Sequence, residues 1–310
     1  MPYYLGIDGG GTKTTCAVGD EANRLVTATA GPSNIVRVGA AQTRESLQKA
    51  VRQACAAAGI APSEIVRTCI GGSGAARSEL ATAVRGFLAE VLSTPIDVVG
   101  DMAIALEAAF GEGPGVIVIA GTGSIAYGRD RQGNTARAGG WGFAIGDEGS
   151  AHWIGRGTLA AVLRDSDQTY RRAEGTLHSE LGASLCKAWG VATLTELARA
   201  ANSIPPPDFA SLFPVVAASK DELALQVLSA AGMELAQTAN VVVKRSFPKD
   251  DAGPVPVAMI GSVFRHSGTV REVFYNELRA FESRAEIEKE VVEPVDGALR
   301  MARKARSLNR

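Results

Sequence analysis

A short apolar strand runs into an acidic residue, three glycines and a cluster of threonines at Tyr3-Tyr4-Leu5-Gly6-Ile7-Asp8-Gly9-Gly10-Gly11-Thr12-Lys13-Thr14-Thr15-Cys16-Ala17-Val18. Three successive residues without side chains let backbone N–H groups approach an anion closely. The neighbouring threonines add hydroxyl donors, and the Asp8 carboxylate is able to hold a magnesium ion through water. A Walker P-loop needs Gly-x-x-x-x-Gly-Lys-Ser/Thr leading into a helix; here an apolar strand follows instead, which predicts a strand–turn–strand hairpin. An ordinary glycine-rich hairpin uses the same residues, so this turn alone does not settle its role.

The pattern restarts roughly 110 residues later, a spacing too long for a solenoid repeat. Residues 116–120 read as a strand, Gly121-Thr122-Gly123-Ser124 as a turn, and 125–129 as a second strand. Two such openings predict two related domains facing each other across a cleft, with the turns clamping a phosphate chain from both sides. Phosphoryl transfer relies on that kind of positioning and electrostatic stabilisation. The breaker-dense stretch Gly111-Glu112-Gly113-Pro114-Gly115 is the natural boundary. The expected domains are therefore 1–112 and 113–292, with a terminal helix at about 293–310 packing back on the first.

Between these landmarks, strands are predicted at 3–8, 14–19, 24–29, 65–70 and 96–101, with helices at about 41–58 and 76–92 and an alanine-rich helix to about 110. The run Gly71-Gly72-Ser73-Gly74 closes the fourth strand. The second half reads as mostly helical, near 151–166, 193–202, 209–219 and 221–246, with a strand at 256–260 ending in Gly261-Ser262-Val263-Phe264. The region 283–310 reads as finishing in an amphipathic helix that is basic at its end, where cations suit the helix dipole.

A length of 310 residues allows an ample core, and a net charge of −1 leaves no electrostatic footprint for nucleic acid. Cys16, Cys55, Cys69 and Cys186 are too scattered for a Cys-x-x-Cys site and read as buried thiols of a cytosolic protein. No signal peptide is expected, and no segment approaches the ~18 apolar residues of a membrane span. The expectation is a soluble, cytoplasmic protein with neither nucleic acid nor membrane among its partners.

Asp101 ends an apolar strand beside Gly100, where carboxylates project into the crevice of open α/β sheets. It is equally suited to act as a general base for a substrate hydroxyl or as an N-cap for the following helix. The segment 139–153 combines glycines, Trp141, Asp147, Glu148 and Ser150 ahead of a helix. Carboxylates beside an aromatic face suit a sugar, although acids at a helix start also serve as simple caps. His152 reads as a first-turn helix residue, and His178 and His266 as surface residues. Arg37, Arg77 and Arg137 are set aside as solvated cations.

These residues together resemble the superfamily of acetate kinase, sugar kinases, Hsp70 and actin, and within it the N-acetylglucosamine kinase and glucosamine kinase branch, which includes the BadF/BadG/BcrA/BcrD ATPases. The resemblance spans nearly the whole chain. It rests on Asp8-Gly9-Gly10-Gly11-Thr12-Lys13-Thr14, Pro32-Ser33-Asn34, Gly100-Asp101, Ala120-Gly121-Thr122-Gly123-Ser124, Gly140-Trp141-Gly142, Gly146-Asp147-Glu148-Gly149-Ser150 and Gly261-Ser262-Val263. It implies an α/β fold of two ribonuclease-H-like, actin-like ATPase domains flanking a nucleotide cleft. It also implies ATP and magnesium as cofactors, a small sugar as substrate, and a homodimer.

By the same resemblance, Asp8 lies near the magnesium ion. Gly10, Gly11, Thr12 and Lys13 meet the ATP phosphates, and Gly121, Thr122 and Gly123 form the second phosphate loop. Asp101 becomes the catalytic base for the sugar's 6-hydroxyl. Asn34, Ser124, Gly140, Trp141, Gly142 and Asp147 hold the sugar, and Gly261 and Ser262 sit by the adenosine. Animal N-acetylglucosamine kinases carry Asn directly after Gly-Thr-Gly-Ser; here that residue is Ile125. An apolar side chain makes no hydrogen bond to an acetamido group, so glucosamine, glucose and other hexoses stay open. The related activator ATPases of radical dehydratases need cysteines in a stretch where this chain has none, from Cys69 to Cys186. A non-catalytic sugar sensor would be expected to lack the base that Asp101 supplies.

Overall fold

The computed structural model describes residues 1–72, 78–169, 179–248 and 253–307. Ser73, Gly74, Arg77 and His178 lie outside these residues. The chain forms two compact units, one made of Met1–Pro114 with Val292–Arg310 and the other of Gly115–Val291.

In the first unit β1 (Tyr3–Gly9), β2 (Thr14–Gly19) and β3 (Arg24–Ala30) form an antiparallel meander. After α1 (Ile35–Ala57), β4 (Ile65–Gly72) pairs parallel with β1. After α2 (Ser78–Ala89), β5 (Ile96–Gly100) pairs parallel with β4, giving the order β3-β2-β1-β4-β5. The period of two along each strand sorts the side chains onto two faces. Leu5, Ile7, Cys16 and Val18 join Leu47, Val51 and Leu88 in one core. Tyr4, Ala17 and Cys69 join Ile104 and Leu299 in another. Burying each large aliphatic side chain contributes about 1.5–3 kcal/mol, so both faces of the sheet must be covered. On the second face lies α3 (Asp101–Phe110).

The second unit repeats the opening. Its meander is β6 (Gly115–Ala120), β7 (Ser124–Arg129) and β8 (Thr135–Gly139). There follow α4 (Ala151–Thr169), α5 (Glu180–Ala188), α6 (Leu194–Ala201), a 3-10 turn at Phe209–Leu212, α7 (Phe213–Ala218) and α8 (Glu222–Ser246). Then come β9 (Val255–Ile260), α9 (Ser262–His266), α10 (Gly268–Phe281) and β10 (Ala285–Val292). The sheet order is β10-β9-β6-β7-β8, with β9 parallel to β6. Last in the chain, α11 (Pro294–Ser307) belongs to the first unit, where Val295, Ala298, Leu299 and Ala302 complete the second core.

The α/β class and the paired strand–turn–strand openings are as expected, while some elements differ. The region 283–310, expected to finish as a helix from about 293, does so over Pro294–Ser307, but it begins with an unexpected strand over Ala285–Val292. Ala285 and Ile287 turn inward while Glu286 and Glu288 are exposed, a period of two that a helix does not satisfy. Pro294 then suits a helix start, where its missing N–H costs nothing. The first helix begins at Ile35 rather than near 41, because Asn34 caps it and Gly39 (φ 77°) carries the chain through a break. The predicted helix at 209–219 is a 3-10 turn followed by α7, and α5 and α10 are helices that the sequence pattern does not predict. All four cysteines are buried and free, and no helix among the described residues is long and apolar enough to cross a membrane.

Candidate functional site

In the first unit the pairing of Gly9 with Thr14 leaves residues 10–13 as the turn between β1 and β2. The Gly10 N–H donates to the Lys13 carbonyl at 3.1 Å, and the Ser33 N–H donates to the Gly10 carbonyl at 3.1 Å. A Cβ on Gly10 would lie 2.8 Å from the Lys13 oxygen, so glycine is required by close approach and not by a left-handed backbone. Thr14 is fully buried, and its hydroxyl lies 2.7 Å from both the Gly31 carbonyl and the Ser33 hydroxyl. It is thereby engaged in holding the turn against 31–33, whereas Thr12 and Lys13 expose their side chains at the tip.

Asp8, near the end of β1, and Asp101, just past the end of β5, lie in each other's electrostatic field. Burial pushes the half-buried Asp8 carboxyl up to about 6; Asp101 and, less, Glu293 push the same way, against the cationic Lys13. Asp101 is the first residue of α3, and the capping position is held by Gly100, so the N-cap reading of Asp101 does not hold. Its Oδ1 accepts the Met102 N–H at 3.0 Å. Among the described residues, no group of three or more His, Cys, Asp or Glu is arranged to enclose a metal. A magnesium ion bound through one carboxylate, waters and phosphate oxygens fits such a site, because Asp8 sits in an excess of negative charge that a cation would relieve.

Asn34 accepts the Val36 and Arg37 N–H groups at 3.1 and 3.3 Å through Oδ1. What remains for a ligand is its amide N–H₂ group. Arg37, expected to be a solvated cation, brings its guanidinium alongside Gly11. Its Nη1 lies 3.5 Å from where a Cβ on that glycine would stand.

In the second unit the turn Gly121–Ser124 is braced by the start of α4. The Gly121 carbonyl accepts the Ala151 N–H at 2.8 Å, the Gly121 N–H donates to Gly123, and the Ser124 hydroxyl donates to the Glu148 carbonyl at 2.7 Å. Ser124 is therefore buried and internally bonded. Asp147, itself buried, has a positive φ of 60°. Its Oδ1 accepts the Gly142 N–H at 3.2 Å, and a Cβ on Gly123 would stand 2.7 Å from its Oδ2. One carboxylate thus joins the turn 121–124 to the glycine–tryptophan segment. Burial raises its pKa, and hydrogen bonds from the Gly142 and Ser124 backbones oppose the rise.

Gly140 (φ 68°) needs both its left-handed backbone and its missing Cβ, which would stand 2.7 Å from the Ile125 side chain. Trp141 is 70 % exposed, with the Arg137 guanidinium 4.9 Å from its ring centroid. His152 packs between Phe143 and Phe209, with ring centroids 5.0 and 5.2 Å away. Gly261 (φ 105°) holds the capping position ahead of α9, against the end of β6, where a Cβ would collide with the Ala120 carbonyl and stand 3.2 Å from the Gly121 nitrogen. The structure therefore groups Gly121, Thr122, Gly123, Asp147, Gly142 and Gly261 in the second unit. It groups Asp8, Asp101 and the 10–13 turn, with Asn34 and Arg37, in the first.

The BadF/BadG/BcrA/BcrD ATPase family model matches residues 5–299. Over 179 residues the chain is 37 % identical to the N-acetylmuramic acid/N-acetylglucosamine kinase of Clostridium acetobutylicum, a match covering 57 % of this chain and 58 % of that one. Over 176 residues it is 35 % identical to the N-acetyl-D-glucosamine kinase of Dictyostelium discoideum, covering 53 % and 55 %. These matches span little more than half the length of either relative. A crystal structure from Chromobacterium violaceum, provisionally assigned as an N-acetylglucosamine kinase, shares the fold with a TM-score of 0.72 and 24 % identity, covering 97 % of this chain and 99 % of that one.

Proposed function

Because the chain belongs to the BadF/BadG/BcrA/BcrD ATPase family, we propose that it is an ATP-dependent amino-sugar kinase that phosphorylates the 6-hydroxyl of N-acetylglucosamine or a related hexosamine. The observation that carries the reading is the carboxylate pair Asp8 and Asp101, within each other's field, in the unit that bears the glycine-rich turn. The names of the two curated relatives support the choice of sugar.

In this proposal Asp101 accepts the proton of the 6-hydroxyl as its oxygen attacks the γ-phosphorus. The bond to the β-phosphate oxygen breaks, and ADP leaves with that electron pair. Backbone N–H groups at 11–13 and 122–123 hold the phosphate oxygens, with Gly10 and Gly121 shaping the two turns through their internal hydrogen bonds and Thr12 and Lys13 adding polar contacts. Asp8 would hold magnesium, which when bound neutralises charge on the phosphates. Trp141 offers its exposed face to the sugar ring, while Asn34, Gly140, Gly142 and Asp147 orient the hydroxyls; Gly261 and Ser262 border the adenosine. Ser124 acts by holding its turn in place, consistent with its bond to Glu148.

Ile125, packed under Gly140, makes that wall of the sugar site apolar, which leaves glucosamine as a second candidate substrate. A coupled ADP-release assay across a hexose panel tests the reading. Turnover stimulated by N-acetylglucosamine or glucosamine well above that by glucose is expected. If no hexose raises ADP release above the sugar-free rate, the kinase assignment fails.

A further inference from the structure

We infer that Arg37 contacts the phosphoryl group in transfer, closing over the turn at 10–13. The inference rests on the kinase reading above. Arg37 stands on a single turn of helix, fixed at one end by the Asn34 cap and separated at the other from the rest of α1 by Gly39 (φ 77°, ψ 172°). From that turn its side chain reaches across to Gly11. Among the described residues, and apart from Gly10 and Thr12, Arg37 Nη1 at 3.5 Å and Cδ at 3.9 Å are what come within 4 Å of the place where a Gly11 Cβ would stand. The backbone of the turn and the guanidinium therefore border the same space.

The charge pattern favours an anion there. Asp8 and Asp101 put negative charge on the side of the site where a triphosphate must arrive. An arginine beside the turn offsets that repulsion and gains strength as charge spreads onto the phosphoryl oxygens. Lys13 sits on the same turn as a point charge. The planar fork of Arg37 offers paired N–H donors that match two phosphoryl oxygens at once.

The test compares Arg37→Ala and Arg37→Lys with Arg52→Ala, which removes the same charge from an exposed position of α1. Affinities for ADP and for a non-hydrolysable ATP analogue are measured with magnesium, alongside sugar-stimulated ADP release. Arg37→Ala is expected to lower the triphosphate-to-diphosphate affinity ratio about tenfold and kcat about 10²-fold, while the sugar KM changes less than about twofold. Arg37→Lys is expected in between, and Arg52→Ala is expected to match wild type.

An affinity ratio and kcat for Arg37→Ala within about twofold of those for Arg52→Ala would overturn the inference and leave the kinase reading intact. A wild type that binds nucleotide without sugar-stimulated turnover overturns the kinase reading, and the affinity ratio then still decides the role of Arg37. A wild type that binds no nucleotide overturns both.

Discussion

A few side chains carry the electrostatics of the site, and Asp8 shows how. Its carboxyl titrates near 6 in the folded chain against an ordinary 3.8, mainly through burial and secondly through Asp101. Below the ordinary value both folded and unfolded chains hold the proton, and the residue does not oppose folding. As pH rises toward 6 the unfolded chain releases its proton more readily, so stability falls across that window. The difference corresponds to at most ~3 kcal/mol, and solvent contact at this half-buried carboxylate lowers it. Asp8→Asn, without nucleotide or metal, is therefore expected to raise the melting temperature at pH 7.5 and to leave it unchanged at pH 3.5. A lower melting temperature at pH 7.5 would contradict this. At this scale Asp8, Asp101 and the glycines of the turns were legible because their chemistry is local. The cap formed by Asn34 is also local, a signal that an Asn ahead of Ile35 carries, whereas the positive φ of Asp147 and the approach of Arg37 to Gly11 depend on tertiary neighbours, and no local pattern marks them.

At the scale of elements, the packing of α11 positions what surrounds the site in the first unit. A Cβ on Gly297 would collide with the Ile104 carbonyl and stand 2.6 Å from the Ala108 nitrogen, so the backbones of α11 and α3 touch. A Cβ on Gly6 would stand 2.5 Å from the Leu299 nitrogen, which puts the same helix directly on β1. The strand that bears Asp8 and the helix that begins with Asp101 are thus spaced by one helix. Arg300 donates to the Glu107 and Ala108 carbonyls at 3.1 Å, and the Lys304 ammonium lies 2.9 Å from Glu107. Gly297→Ala overfills this contact and is expected to cost about 3 kcal/mol, read as a lower midpoint in denaturant unfolding. A change below about 0.5 kcal/mol would show that α11 is free to shift. The strands of both meanders were legible from apolar runs bounded by turn residues. The strand at Ala285–Val292 was not, because its charged residues resemble an amphipathic helix until the burial of alternate residues is seen.

At the scale of the whole molecule, the chain builds one architectural opening twice and then returns its last helix to the first unit. Deleting residues 292–310 removes the buried Val295, Ala298, Leu299 and Ala302 from the second core of the first unit. Losing even two large aliphatic contacts at about 1.5–3 kcal/mol each is a large share of a domain's stability. The truncated chain is expected to lose the unfolding transition of the first unit in a thermal scan while the second unit still melts cooperatively; an unchanged scan would contradict the packing account. The repeated opening was visible in the sequence because both turns follow apolar strands, whereas the side chains proposed to face a sugar come from separate segments.

In the proposed reaction Asp101 takes the proton of a sugar hydroxyl as phosphate arrives. The most direct measurement is kcat for sugar-stimulated ADP release by wild type and by Asp101→Asn, with nucleotide affinity measured on both. A fall of about 10²–10⁴-fold with nucleotide affinity retained is the predicted result. A variant that keeps the full rate on the same sugar would contradict it.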